Sequence, residues 1–380
     1  MASYPGIEKI RGDALKEVKN VESAFQKAGE KRFKIKGVLG EGTGGVALKM
    51  AMISKPSPTS QPVQEFILKR AYNTEQEAKL RKEIAFVQRF RGDMHVAQFF
   101  SLEGEPIDSI SYLKGPTLLT EWIGNGTLKE LIVKRADWGK PLPNRMLWRL
   151  FLCLCRMLIA MAWPSDRPPG TKRESERVPS PNENGKRPDK LELHHGDLNI
   201  QNILIGNLDL SEHAFVNTLI IIDFGASSIE EDETKAGQAA KVNISKMGEI
   251  MLNLIGGRVM KSAAGSSNMN FITVEGQNTI RSWARDLDGL NPVYKAPAST
   301  VAEHKDRMDN LDPDLRRLVI RCLATAMNNR PELEDLVEEV ERNVSGKAAT
   351  YYASYRYGSN ETNSEVARIM KELLHDATTS

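Results

Sequence analysis

Apolar positions in this chain change their period partway along it. From Arg32 the run RFKIKGVLGEGTGGVALKMAMI alternates in character around a glycine-rich turn, which predicts two strands. A Pro/Ser loop at 54–64 follows, then a short strand in EFILKR that carries Lys69. In EQEAKLRKEIAFVQRF the apolar residues Ile84, Val87 and Phe90 recur at helical spacing. Two more short β runs are expected at 96–102 and 117–122, and residues 1–30 read as a polar, amphipathic helical extension. From about residue 126 the period becomes helical, in TLKELIVKR and then NRMLWRLFLCLCRMLIAMAW. The stretch 163–190 is rich in proline and charge and nearly free of apolar residues, the composition of a disordered surface insertion. Beyond it come LELHHGDLNIQNILIG, a β-like NTLIIIDFG, and mostly helical sequence to the end. Strands first and helices second predict an α+β chain in two parts, divided between 31–123 and 124–344, with a tail at 345–380.

Composition narrows the function classes. With 380 residues, 40% of them hydrophobic and 27% charged, the chain is ordinarily globular. A formal net charge of +2 gives no reason to expect nucleic acid or an anionic membrane as partner. Three cysteines, two of them in the apolar helical run, argue for a reduced, intracellular setting, cytoplasmic or nuclear. No signal peptide is recognisable, and no apolar run reaches the roughly 18 residues of a membrane span. The six histidines form no zinc-binding pattern. Nothing suggests an obligate oligomer, so a monomer is expected.

Four constellations carry chemistry. Gly40, Gly42 and Gly45 in GEGTGGVA, with Ala47 two residues on, let a backbone approach a polyphosphate closely and turn its N–H groups toward it. A plain hairpin turn explains the same glycines. Lys69 on a strand can reach phosphate oxygens, and Glu83 on the next helix can hold it as an ion pair. Glu75 and Glu77 compete for that role, but Glu83 sits on a turn with a buried face. Asp197 in HHGD can orient or accept the proton of an attacking hydroxyl, and Asn202 can offer an amide oxygen to a divalent cation. Finally, the apolar run Leu219 to Ile222 delivers Asp223 to the end of a strand, and an oxygen ligand there suits magnesium.

Taken in order, the glycine-rich loop, Lys69, Glu83, H-G-D-L-x-x-x-N and D-F-G resemble the signature set of the protein-kinase superfamily. The resemblance spans roughly residues 33–342. It implies a bilobal fold, with a small β-rich N-lobe at 31–123 and a larger helical C-lobe at 124–344. It implies ATP and magnesium as cofactors. The glycine loop (Gly40, Gly42, Gly45, Ala47) would cover the nucleotide, Lys69 would bind its phosphates and pair with Glu83, and the backbone of Glu121 and Ile123 would meet the adenine. Asp197 would be the catalytic base, Asn202 and Asp223 the metal ligands, His195 a structural residue, and Thr120 the gatekeeper.

The chain also departs from that pattern. Gly196 replaces the Arg of H-R-D, Asn199 replaces a catalytic-loop Lys, and Asn243 stands where the family has an anchoring Asp. One cation is missing from the site of transfer. The stretch from Asp223 to Asn243 is short, lacks A-P-E, and leaves Arg330 without its usual Glu. The implied activity is transfer of the ATP γ-phosphoryl to a hydroxyl, first of protein serine or threonine. A small-molecule kinase related to those acting on aminoglycosides or choline is the alternative, and a pseudokinase scaffold is another.

Overall fold

The computed structural model describes residues 4–29, 32–42, 45–52, 64–100, 112–209, 212–257, 270–273, 279–287 and 308–374. The tip of the glycine-rich turn at 43–44, most of the 54–64 loop and the end of the 96–102 run lie outside these. The fold is α+β. It divides into two compact units, one formed by Met1–Ile123, Pro164–Ser175 and Ile222–Ser227, the other by Gly124–Trp163, Glu176–Ile221 and Ser228–Ser380. No described helix is long and apolar enough to cross a membrane.

The first unit is built on an antiparallel sheet in the order β1 (Phe33–Gly42), β2 (Gly45–Met52), β3 (Gln64–Arg70), β4 (Thr117–Glu121). Side chains of a strand alternate between faces, so each face needs its own cover. One face carries Ile35, Val46, Leu48, Met50, Phe66 and Leu68 and packs against α1 (Gly12–Lys27), whose Ala14, Val18, Val21 and Phe25 are all buried. Those four are spaced by four, three and four positions, which puts them on one helical stripe. The N-terminal helix is therefore part of this core. Each such buried aliphatic or aromatic side chain contributes about 1.5–3 kcal/mol. On the other face Ala71, Leu80 and Leu118 cluster, with Ile84 and Phe99 against them, beneath α2 (Thr74–Arg89). The expected strand at 96–102 is reduced, in its described part, to a single bridge from Phe99 to Thr120.

In the second unit, α3 (Leu128–Trp138) starts with a capping box between Thr127 and Glu130 and ends at Gly139 with φ 70°. Next, α4 (Asn144–Ala162) is buried almost throughout, and its three arginines, Arg145, Arg149 and Arg156, fall on one stripe of an otherwise apolar helix. Its Cys153 and Cys155 are buried thiols, as is Cys322, and burial pushes the Cys155 thiol well up. Short pairs follow: β5 (Leu193–His194) with β8 (Ser228–Ile229), and β6 (Ile203–Ile205) with β7 (Leu219–Ile221). Further along come α5 (Gln238–Gly256), the hairpin β9 (Asn270–Thr273) and β10 (Thr279–Ser282), α6 (Pro313–Cys322) and α7 (Leu333–Gly346). The tail is not an appendage. Its last helix, α8 (Asn363–Leu373), buries Val366, Ile369, Met370 and Leu373, and Tyr352 ahead of it is wholly buried.

The stretch 163–190, read from composition as disordered, follows a defined irregular course. Within the first unit Glu174 exchanges backbone hydrogen bonds with Gly92 and Met94, and Arg173 pairs with Glu121 at 2.6 Å. Within the second, Glu176 is buried and its carbonyl accepts from Arg156, while Lys190 pairs with Glu334 at 2.8 Å. Backbone bonds and ion pairs hold it in place of a hydrophobic core, and composition does not register those.

Candidate functional site

Lys69 projects from β3 on the face that α2 covers, opposite Ala47 of β2 and Leu118 of β4. On α2, Gln76, Leu80, Glu83 and Val87 form the buried stripe, so Glu83 is the carboxylate that the helix turns inward. Its Oε2 accepts from Lys69 Nζ at 2.7 Å. Glu75 and Glu77 instead pair along their own helix with Lys79 and Arg81. Lys69 also donates to Asp223 Oδ1 at 3.0 Å. One ammonium thus bridges two carboxylates, with 12%, 5% and 20% side-chain exposure for Lys69, Glu83 and Asp223. Burial works against the Lys69 charge, but Glu83 and Asp223 outweigh it and hold the lysine pKa above its ordinary value. Burial raises the Glu83 carboxyl, helped by the charge of Asp223 and opposed by Lys69.

Asp223 reaches that position through an uncommon backbone. Its φ of 64° and ψ of 75° lie in the left-handed region, and its side chain accepts from the Gly225 amide. The turn drops Phe224 onto α2, where its ring lies 4.7 Å from Phe90 and 6.4 Å from Phe86. The residue after Asp223 is therefore anchored on the helix that carries Glu83. At the glycine-rich turn Gly42 pairs with Gly45, Glu41 with Val46 and Gly40 with Ala47. Gly45 has φ 130°, and a Cβ there would collide with the backbone carbonyl of Arg70, so the turn requires glycine at this point. Glu121 ends β4 with its N–H donated to the Gln98 carbonyl and its side chain held by Arg173 and the Gln98 amide. Ile123 is buried.

Asp197, Asn199 and Asn202 lie together in the second unit, on the loop between β5 and β6. Asn199 Nδ2 donates to Asp197 Oδ1 and Asn202 Nδ2 to Asp197 Oδ2, both at 2.8 Å. Both carboxylate oxygens are thereby oriented by amides. Since Asn202 directs its NH2 at Asp197, its oxygen is left for another partner. The loop is anchored through Asn243 of α5, which accepts from the His195 N–H at 3.3 Å and donates to the Leu193 carbonyl at 2.7 Å. Only an amide does both, because an Asp carboxylate has no N–H to give the carbonyl. Gly196 has φ 79°, a conformation in which an arginine is strained. Arg330 finds partners among backbone carbonyls, those of Ala324 and Lys241, while Lys241 returns a bond to the Arg330 carbonyl. Also in this unit, a cavity of about 580 Å³ beside α3 is lined by Thr127, Lys129, Lys134, Gln201 and Leu373 but by neither Asp197 nor Asn202.

Two contributors were not visible in the sequence. The Arg173 clamp on Glu121 comes from the stretch read as disordered. Glu192, just before H-H-G-D, accepts from the Gly237 and Ala239 amides at the start of α5. Its partners lie 45 and 47 positions away, beyond any local capping pattern. Phe224 was legible as part of D-F-G, but its packing on Phe86 and Phe90 was not. Compared with known proteins, the chain matches no protein-family model, and no curated protein matches it.

Proposed function

We propose that this protein is an ATP- and magnesium-dependent phosphotransferase that moves the γ-phosphoryl of ATP to a hydroxyl, first of protein serine or threonine. The observation that carries the reading is the Lys69 ammonium bracketed by Glu83 and Asp223 on a sheet whose β1–β2 turn demands glycine. A buried lysine fixed by a helix carboxylate presents one oriented positive charge, which suits an α/β-phosphate. Asp223 and Asn202 each offer an oxygen of the hard kind that magnesium prefers. Magnesium, when bound, neutralises phosphate charge. Asp197, oriented by two amides, holds the acceptor hydroxyl and takes its proton. Positioning and charge stabilisation supply most of the rate in such transfers.

A second acceptor class, a small-molecule hydroxyl, is favoured by one observation. The stretch after Asp223 is short and tied back by β5–β8 pairing, leaving little chain to form a peptide platform. In the test, Mg-ATP raises the melting temperature of the wild-type protein, and Lys69→Ala removes the shift. Labelled-ATP transfer to a peptide library and to a metabolite extract, run side by side, then separates the acceptors. A wild type that shows no shift and no transfer overturns the reading.

A further inference from the structure

We infer that Glu192 is a positioning residue that binds the segment 228–237 to the loop carrying Asp197, so that this segment is closed by a fixed carboxylate. Three contacts converge on it. The Glu192 carbonyl accepts from the Glu230 N–H at 2.8 Å, Oε1 from the Gly237 N–H at 2.7 Å and Oε2 from the Ala239 N–H at 3.2 Å. Gly237, the residue that caps α5, has φ 81° and no side chain to satisfy the orphan amides of the helix start. Glu192, just before β5, supplies that cap from far along the chain, and a negative charge there also favours the positive end of the helix dipole. At its other end the segment is fixed by pairing of Ile229 with Leu193 and of Ser228 with His194.

The same few residues then lead into the catalytic loop. Leu193 and His195 are bonded by Asn243, which lies one turn beyond Ala239 on α5. Glu192 and Asn243 thus fasten one strand entry to two successive turns of one helix. Inside the segment Lys235 pairs with Glu230 at 3.2 Å and Asp232 at 3.4 Å, and Asp232 accepts from the Thr234 amide. These ion pairs and amide bonds form without an added phosphate. Ser227, at its edge, is buried and closed to a modifying enzyme. Glu192 therefore fixes permanently what a phosphorylated segment holds only when modified.

The positioning role rests on the phosphoryl-transfer reading, but its structural half does not. Amide hydrogen exchange on the full chain compares wild type with Glu192→Ala and Glu192→Gln. Loss of two charge-assisted bonds is expected to speed exchange about tenfold at Gly237 and Ala239 and also across 193–202, with Glu192→Gln between. Tryptic cleavage after Lys235 should speed up in parallel. In transfer assays kcat should fall more than KM for Mg-ATP rises, because Lys69, Glu83 and Asp223 belong to the other unit and only Asn202 of the nucleotide-binding set lies on the loosened loop. Replacing the exposed Ser228 by Ala should change none of these readouts. Unchanged exchange in Glu192→Ala overturns the inference, and so does faster exchange confined to the α5 start. A wild type without transfer overturns the proposed function instead, and the exchange data still decide whether Glu192 holds the loop.

Discussion

At Gly196 the backbone dictates the residue. With φ at 79° any side chain is strained, by about 1–2 kcal/mol. Gly196→Arg, which restores the residue common in the resembling family, is expected to lower urea stability by about that much and to leave transfer no faster. The charged trio makes a pH-dependent prediction. Removing the cation in Lys69→Met leaves Glu83 buried beside Asp223, a loss of roughly 3–5 kcal/mol at pH 8. The Glu83 carboxyl has a folded value above its unfolded one, so protonation favours the folded state, and that gain is lost as pH rises through the folded value. Denaturation at several pH values should therefore find a smaller loss for Lys69→Met at pH 5 than at pH 8. Glu83 itself is legible in the sequence because Ile84, Val87 and Phe90 give its turn a buried face, and in the structure it lies on the buried stripe of the helix with Leu80 and Val87. Glu192 is not legible, since a cap supplied across 45 positions leaves no trace in local order.

At the scale of elements, periodicity located α2, α4 and the β1–β2 hairpin, because each buries a regular stripe or face. It also found α1, but as an extension, since polar composition hid that the helix covers one side of a sheet. The tie between them is Arg70. Its guanidinium donates to Glu17 of α1, to the carbonyls of Lys114, Gly115 and Pro116, and to Thr117 at the start of β4. A planar fork with five donors suits that cluster, and a lysine does not. Arg70→Lys should cost about 2–4 kcal/mol by chemical denaturation, despite keeping the charge. The stretch 163–190 shows the opposite error. A segment without apolar residues reads as unfolded only when side chains are the sole source of order. Here backbone pairing with Gly92 and Met94 supplies it.

Across the whole molecule the backbone passes between the two units five times. Neither unit is one continuous segment, and the first borrows 222–227 from far along the chain. Those six residues include Asp223, which completes the charge set around Lys69, and Phe224, which covers Phe86 and Phe90. The continuous fragment 1–123 would leave both rings uncovered and Lys69 one carboxylate short. It is expected to melt without a cooperative transition and to bind a hydrophobic dye, whereas the full chain melts sharply. Strand-then-helix order predicts the α+β class, while the borrowed segments stay hidden because nothing in a linear pattern says which core a short apolar run joins.

The borrowed strap also sets a timetable. Asp223 lies 100 positions after Ile123, so a ribosome working at about 5–20 residues per second needs roughly 5–20 s more to deliver it. During that interval the nascent first unit has its lysine and its helix glutamate but no partner for either phenylalanine ring. Its final closure waits on synthesis of 124–163 and 176–221, both of the other unit, so the first unit cannot finish folding before much of the second has been made.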